Sequence, residues 1–346
     1  MAEIVSGKLS SVLNGHSCEP PPIWLMRQAG RYLPEYREAR ARAGSFWELC
    51  TNAAAAAEVT LQPVHRFDFD AAIIFSDILV VPHALGKAVS FEGGRGPRVE
   101  TTRSPVELCR DAGIWAERLA PVYDAIGRVA AALPKEKDLI GFAGGPWTLA
   151  TYMVEGGASL DQAAAKLWAY RNKESFGELL GIIGACVAAH LCAQLKAGAT
   201  VVQLFDSWAG GLSETLFRDC VITPSRRIMQ EVRKNVPHAK FIGFPRGATQ
   251  QGYLEYLEAT GVDAISLDTA VLFAWAAEHL GGKTALQGNL DPLALVAGGE
   301  ALRDAVHRLL ADAKGTPHVV NLGHGILPDT PVENVAELVE LVRSTR

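Results

Sequence analysis

Thr200-Val201-Val202-Gln203-Leu204 is a short apolar run. It is followed by Phe205-Asp206-Ser207-Trp208-Ala209-Gly210-Gly211 and then by a helix-length pattern over 213–236. A run of this kind reads as a strand buried on both faces. The same unit recurs along the chain, with further runs at Ile23–Met26, Ala71–Phe75, Leu139–Ala143, Lys240–Phe244, Ala264–Leu267, Ala285–Gly288 and His318–Leu322. Helix-length patterns alternate with them, over 46–66, 104–133, 161–197, 213–236, 248–260, 271–281, 292–314 and 331–344. Strand and helix alternating about eight times predict an α/β fold of the parallel (β/α)8 TIM-barrel type. A doubly wound sheet would want a glycine-rich phosphate turn after an early strand. No GxGxxG occurs there, and no GxxxxGK[ST] occurs anywhere.

One segment breaks the rhythm. Residues 87–99, Lys87 to Val99, alternate apolar and polar around Gly93-Gly94, which predicts a β-hairpin leaving the barrel top as a lid or an oligomer contact. No repeat beyond the strand-helix unit and no low-complexity linker divides the 346 residues, so one domain over 1–346 is expected.

Composition narrows the function classes. Hydrophobic residues make up 49% and charged ones 21%, which fits a globular rather than a disordered chain. A net charge of −5 argues against a nucleic-acid binder, so an anionic substrate would have to be met by a local arginine cluster. Six scattered cysteines with no CxxC pair suit buried thiols in a reducing compartment. The N-terminus has no signal pattern, and no apolar run approaches the ~18 residues of a membrane span. A cytoplasmic protein with no membrane partner is expected.

In a barrel, catalytic groups gather just after the strands. After the first run come Arg27, Gln28, Gly30 and Arg31, with two guanidinium groups either side of a glycine. Paired arginines at a strand end suit a ligand with several carboxylates or phosphates, although two arginines in one turn are more often surface charges. Asp77 follows the second run, Tyr152 lies a turn beyond the third, and Ser207 follows the fourth. Arg246, Asp268, Asn289 with Asp291, and His324 follow the others. Asp77 suits a helix N-cap about as well as chemistry, and Asp268 and Asp291 suit caps better. Tyr152 alone would more often be packing. His324, set between Gly323 and Gly325, is harder to assign to packing.

The chain closely resembles the uroporphyrinogen decarboxylase family, almost end to end. The resemblance is carried by Met26 to Tyr36, by Gly141-Phe142-Ala143-Gly144-Gly145-Pro146-Trp147-Thr148 and by Thr151-Tyr152-Met153. It continues through Phe205 to Gly210 and Asn321-Leu322-Gly323-His324-Gly325. It implies a distorted (β/α)8 barrel, a homodimer, no cofactor and no metal. It also implies removal of the carboxyl groups of the four acetate side chains of uroporphyrinogen III, giving coproporphyrinogen III and CO2 on the route to heme and chlorophyll. By motif it assigns substrate binding to Arg27, Gln28, Ala29, Gly30, Arg31, Arg40, Asp77, Tyr152, Ser207 and His324. Phe205 would pack on the macrocycle, and Asp77, Arg27, Arg31 and Tyr152 would be catalytic.

The residue types suit that chemistry. A pyrrole protonated on a ring α-carbon becomes an iminium-like cation and takes up the electrons released as CO2 leaves, so the substrate does the work usually given to a cofactor. A carboxylate such as Asp77 would accept the pyrrole N–H groups and stabilise the cation. Arginines would hold the substrate's eight carboxylates. Two rivals stand beside this: a zinc-dependent corrinoid or thiol methyltransferase of the same barrel type, and a non-catalytic tetrapyrrole carrier. The first needs a thiolate-rich site, and His190 with Cys192, two apart on a predicted helix, makes a poor metal pair. The second has no cation for Asp77 to stabilise.

Overall fold

The structure, a computed structural model, describes residues 7–92 and 96–344. Its strands are β1 (Ala71–Ile73), β2 (Val89–Glu92), β3 (Gly96–Val99), β4 (Asp138–Gly144), β5 (Val201–Asp206), β6 (Lys240–Pro245), β7 (Ala264–Ser266), β8 (Ala285–Gln287) and β9 (His318–Val319). Seven of them pair in parallel in the order β1-β4-β5-β6-β7-β8-β9. Helices intervene between successive strands of this sheet, as the alternation predicts.

The eighth strand is a correction. Ile23–Met26 forms no ladder; only Ile23 bridges to Val320. The segment nevertheless closes the barrel between its last and first strands. Val320 N–H donates to Pro22 O at 2.9 Å and Asp70 N–H to Ile23 O at 3.0 Å. Beyond Ile23, side-chain amides replace the ladder. Gln28 Oε1 accepts from Leu25 N–H at 3.0 Å while its Nε2 donates to Ala71 O at 3.1 Å. Asn321 Oδ1 accepts from Met26 N–H at 3.0 Å. Arg27 then turns left-handed, with φ +63°, and extended backbone cannot continue.

Alternate residues of the strands point inward, as a period of two requires. Trp24, Ile73, Ile140, Val201, Phe205 and Phe244 belong to one interior cluster. Helix Lys8–Leu13 packs Leu9, Val12 and Leu13 against it. Ser10 bonds to Asp138, the first residue of β4, so this helix plugs the N-terminal end of the barrel. The C-terminal end is therefore the accessible mouth.

The hairpin appears as expected, with β2 and β3 antiparallel and Val89 opposite Val99; the predicted turn residues Gly93, Gly94 and Arg95 lie outside the described residues. Its stem is tied down. Val99 N–H donates to Gly156 O at 3.2 Å, Thr102 N–H to Met153 O at 2.7 Å, and the Phe91 ring lies 4.6 Å from Phe46. A second correction concerns helix Lys173–Ala197, whose 25 residues are long and apolar enough to cross a membrane by length and composition. Here Leu179, Ile183, Val187 and Leu191 are buried against the barrel, and more than half of its most apolar stretch is enclosed.

Candidate active site

Arg27 opens the site. Its left-handed backbone sends the side chain across Gly325, where a Cβ would sit 2.4 Å from Arg27 Cδ. Ala29 and Gly30 continue the loop half-buried, Tyr32 Oη donates to Gln28 O at 2.8 Å, and exposed Arg31 stands at the rim. Arg40 comes from the next helix, Pro34–Ala43, and is half-buried. Burial pushes the Tyr36 phenol up to about 12, against the pull of Arg40 and Arg31. The buried Cys50 thiol is raised by burial and by Asp77 and lowered by Arg40. Arg40 is thus within electrostatic reach of Cys50, as Asp77 is, and Arg31 within reach of Tyr36.

Asp77 lies just beyond β1. Its Oδ1 accepts from Leu79 N–H at 2.8 Å. This is a local turn bond and not a helix cap, since the next helix, Val80–Ala84, is preceded by Leu79 without a side-chain cap. Burial lifts the Asp77 carboxyl above the usual carboxylate range; the Leu79 bond and the Arg27 charge oppose that rise. No ion pair holds Asp77 directly among the described residues.

Tyr152 is carried by helix Pro146–Glu155, and its ring centre lies 4.9 Å from that of Trp208. Burial, then Asp77, raises its phenol pKa, while Arg27 opposes. Arg27, Asp77 and Tyr152 are therefore within electrostatic reach of one another. Phe205 ends the inward side of β5, its ring 5.6 Å from Phe142 and 6.0 Å from Phe244, both edge-on. Three rings from neighbouring strands make an apolar floor. Ser207 follows, its carbonyl 3.5 Å from Arg246 Nη1. The His324 ring lies 6.4 Å from that of Phe244, with Nδ1 buried and without a hydrogen-bond partner among the described residues. Burial, Arg27 and Arg246 push its imidazole down to about 3, with Asp268 opposing.

Most of the expected residues thus share one mouth. Gln28 is set back from it: its side chain is fully buried and bonded to backbone at both ends, so it builds the wall. Asp291 caps helix Pro292–Ala297 through Leu293 N–H at 2.8 Å, and Asp268 accepts from Gly247 N–H, Ala270 N–H and Tyr253 Oη. Sequence reading left Arg246 and Trp208 unassigned. The rim rule does name Arg246, which follows β6 as Arg27 follows Met26, but gives it no role. His190 and Cys192 are buried in helix Lys173–Ala197, with His190 Nδ1 3.1 Å from Tyr123 Oη. Among the described residues no three His, Cys, Asp or Glu side chains converge to hold a metal.

Residues 6–345 match the family model for uroporphyrinogen decarboxylase (URO-D). The chain is 49% identical over 336 residues to the uroporphyrinogen decarboxylase of Rhodospirillum rubrum, covering 96% of each. It is 51% identical over 339 residues to that of Sphingopyxis alaskensis, covering 97% of this chain and 98% of the other. Among solved structures, a methyltransferase from Methanosarcina mazei is similar with a TM-score of 0.77 at 19% identity, over 96% of each chain. A B12-independent methionine synthase from Shewanella sp. W3-18-1 follows with a TM-score of 0.59 at 11% identity, over 98% and 97% of the two chains. At such identities the last two share the barrel fold and no more.

Proposed function

The chain belongs to the uroporphyrinogen decarboxylase family, and on that premise we propose how its barrel mouth removes the acetate carboxyls of uroporphyrinogen. The protein is a carboxy-lyase of tetrapyrrole biosynthesis. In each step a ring α-carbon takes a proton, and the resulting iminium-like cation draws in the electrons of the breaking C–CO2 bond. The acetate carbon then takes a proton to become a methyl group, and the ring proton is lost. One proton is consumed and one CO2 released.

Asp77 is the group that stabilises the cation, by accepting inward-pointing pyrrole N–H bonds. The single observation carrying this is its state: a partly enclosed carboxylate, bonded to one backbone N–H and beside Arg27 without being paired to it. No other hydrogen bond reaches it among the described residues, which leaves its remaining lone pairs to a ligand. Arg27, Arg31 and Arg40 hold substrate carboxylates; none has an ion-pair partner among the described residues. Tyr152 and Ser207 bond a carboxylate, His324 holds a propionate, and the Phe205 floor lies under the macrocycle. Four similar decarboxylations in one mouth require the ring to rotate or rebind between steps. The same reading takes residues 1–346 as one domain working as a cytoplasmic homodimer without a cofactor.

The test is an anaerobic assay with reduced uroporphyrin and a strong chelator, resolving products by carboxyl count. Conversion from eight carboxyls to four, with Asp77→Asn binding but inert, is expected. Tight binding with no loss of carboxyls would favour the carrier, and abolition by the chelator would favour metal chemistry.

A further inference from the structure

Asp206 ends β5, one residue before Ser207, yet its carboxyl turns away from the mouth and is 1% exposed. Oδ1 takes two hydrogen bonds from one residue, Thr148, whose N–H lies at 3.0 Å and whose hydroxyl lies at 2.5 Å. Oδ2 is buried and has no hydrogen-bond partner among the described residues. A Cβ on Gly145 would come within 2.5 Å of this carboxyl, so the backbone there must be bare. Thr148 is the third residue of helix Pro146–Glu155, whose own N-cap is Gly145 and offers no side chain. Asp206 therefore caps, from the neighbouring strand, a first-turn N–H that the helix cannot satisfy itself.

The chain of bonds continues to Tyr152. Having given its proton to Asp206, Thr148 Oγ1 accepts from Trp208 N–H at 3.2 Å. The Trp208 carbonyl is held by Trp147 Nε1 at 3.0 Å and Gln162 Nε2 at 3.3 Å, and its ring packs on Tyr152. The strand leading to Ser207 and the helix carrying Tyr152 are thus joined at one buried carboxyl.

We propose that Asp206 is a positioning residue for the decarboxylation, setting Tyr152 against Ser207 through Thr148 and Trp208. The inference rests on the reading that Tyr152 touches substrate. Burial pushes the carboxyl up to about 7 against the two Thr148 bonds. Asparagine, which keeps the accepting oxygen, therefore mimics its protonated form.

The test is a double-mutant cycle on kcat and KM with reduced uroporphyrin. Asp206→Ala is expected to lower kcat ~10–100-fold, as for a sub-ångström to ångström misplacement of a reacting group. Asp206→Asn should restore most of that. In a Tyr152→Phe background, Asp206→Ala should lower kcat by no more than ~3-fold, because the group it positions is already gone. Should Asp206→Ala fail to fold, Thr148→Val removes the hydroxyl link while keeping the capped N–H, and the same dependence on Tyr152 is expected. A loss of equal size in both backgrounds would overturn the inference. A Tyr152→Phe variant with unchanged kcat and KM would instead overturn the assignment of Tyr152, and the inference with it.

Discussion

Arg27 lies across Gly325: a Cβ at position 325 would meet Arg27 Cδ at 2.4 Å and both Cγ and Nε at 2.9 Å. These are the middle of the side chain, not its free end. The two loops are also bonded, Ile326 N–H to Met26 O at 2.9 Å. The bare backbone beside His324 therefore makes room for the guanidinium.

Gly325→Ala should consequently act as a lesion of Arg27. KM for reduced uroporphyrin is expected to rise ~10–100-fold, about 1.4–2.8 kcal/mol, with little change in Tm. In an Arg27→Ala background the same substitution should be nearly silent. A full effect without Arg27 would show that the glycine serves something else.

Asp77→Asn should move rate and stability in opposite directions. A carboxyl whose folded pKa is raised above its unfolded value favours the fold only while protonated, so stability is lost as pH rises through the interval between the two values. Burial raises Asp77 in this way. Asparagine removes that strain at neutral pH, so Tm at pH 7.5 should rise while kcat falls by ~10²–10³. A variant both slower and less stable would mean that the carboxylate is held by more than Leu79 and Arg27.

Much of this was legible in the chain. Strands of a parallel barrel are buried on both faces, so Val201–Asp206 announces itself as a continuous apolar run, and the rim rule then finds Asp77, Ser207 and His324. Ile23–Met26 misleads because an apolar run records burial, not hydrogen bonding; whether a ladder or the amides of Gln28 and Asn321 satisfy the backbone depends on residues far apart in sequence. The Arg27–Gly325 contact and the Asp206–Thr148 bond are invisible for the same reason. The apolarity of helix Lys173–Ala197 is ambiguous until its buried faces are seen.

Gln28→Ala separates a wall residue from a ligand contact. Its removal strands the Leu25 N–H and the Ala71 carbonyl inside the barrel seam. Each buried unsatisfied group costs about 1–3 kcal/mol, so chemical denaturation should show a loss of roughly 2–6 kcal/mol for the two. KM of the remaining folded enzyme should stay within ~3-fold of the parent, since uniform binding is untouched. A large rise in KM at unchanged stability would restore the ligand role.

Acid should act on the fold through histidines held neutral. Burial pushes His190 down to about 3, and its Nδ1 lies 3.1 Å from the Tyr123 hydroxyl. Because its folded pKa lies below the unfolded ~6.5, its stabilising share is complete above that value and is lost as pH falls toward 3. His318, pushed down to about 4, acts in the same sense, whereas the raised carboxyls Asp77 and Asp206 act in the opposite sense over part of that range. Wild-type melts alone would therefore blur the effect. The difference between wild type and His190→Gln isolates it, since glutamine can still bond Tyr123 but cannot titrate. Between pH 7 and pH 5 that difference should shift by about 2 kcal/mol in favour of the variant, at ~1.4 kcal/mol per pH unit below 6.5. A difference that stays flat over this range would mean that His190 ionises within the fold.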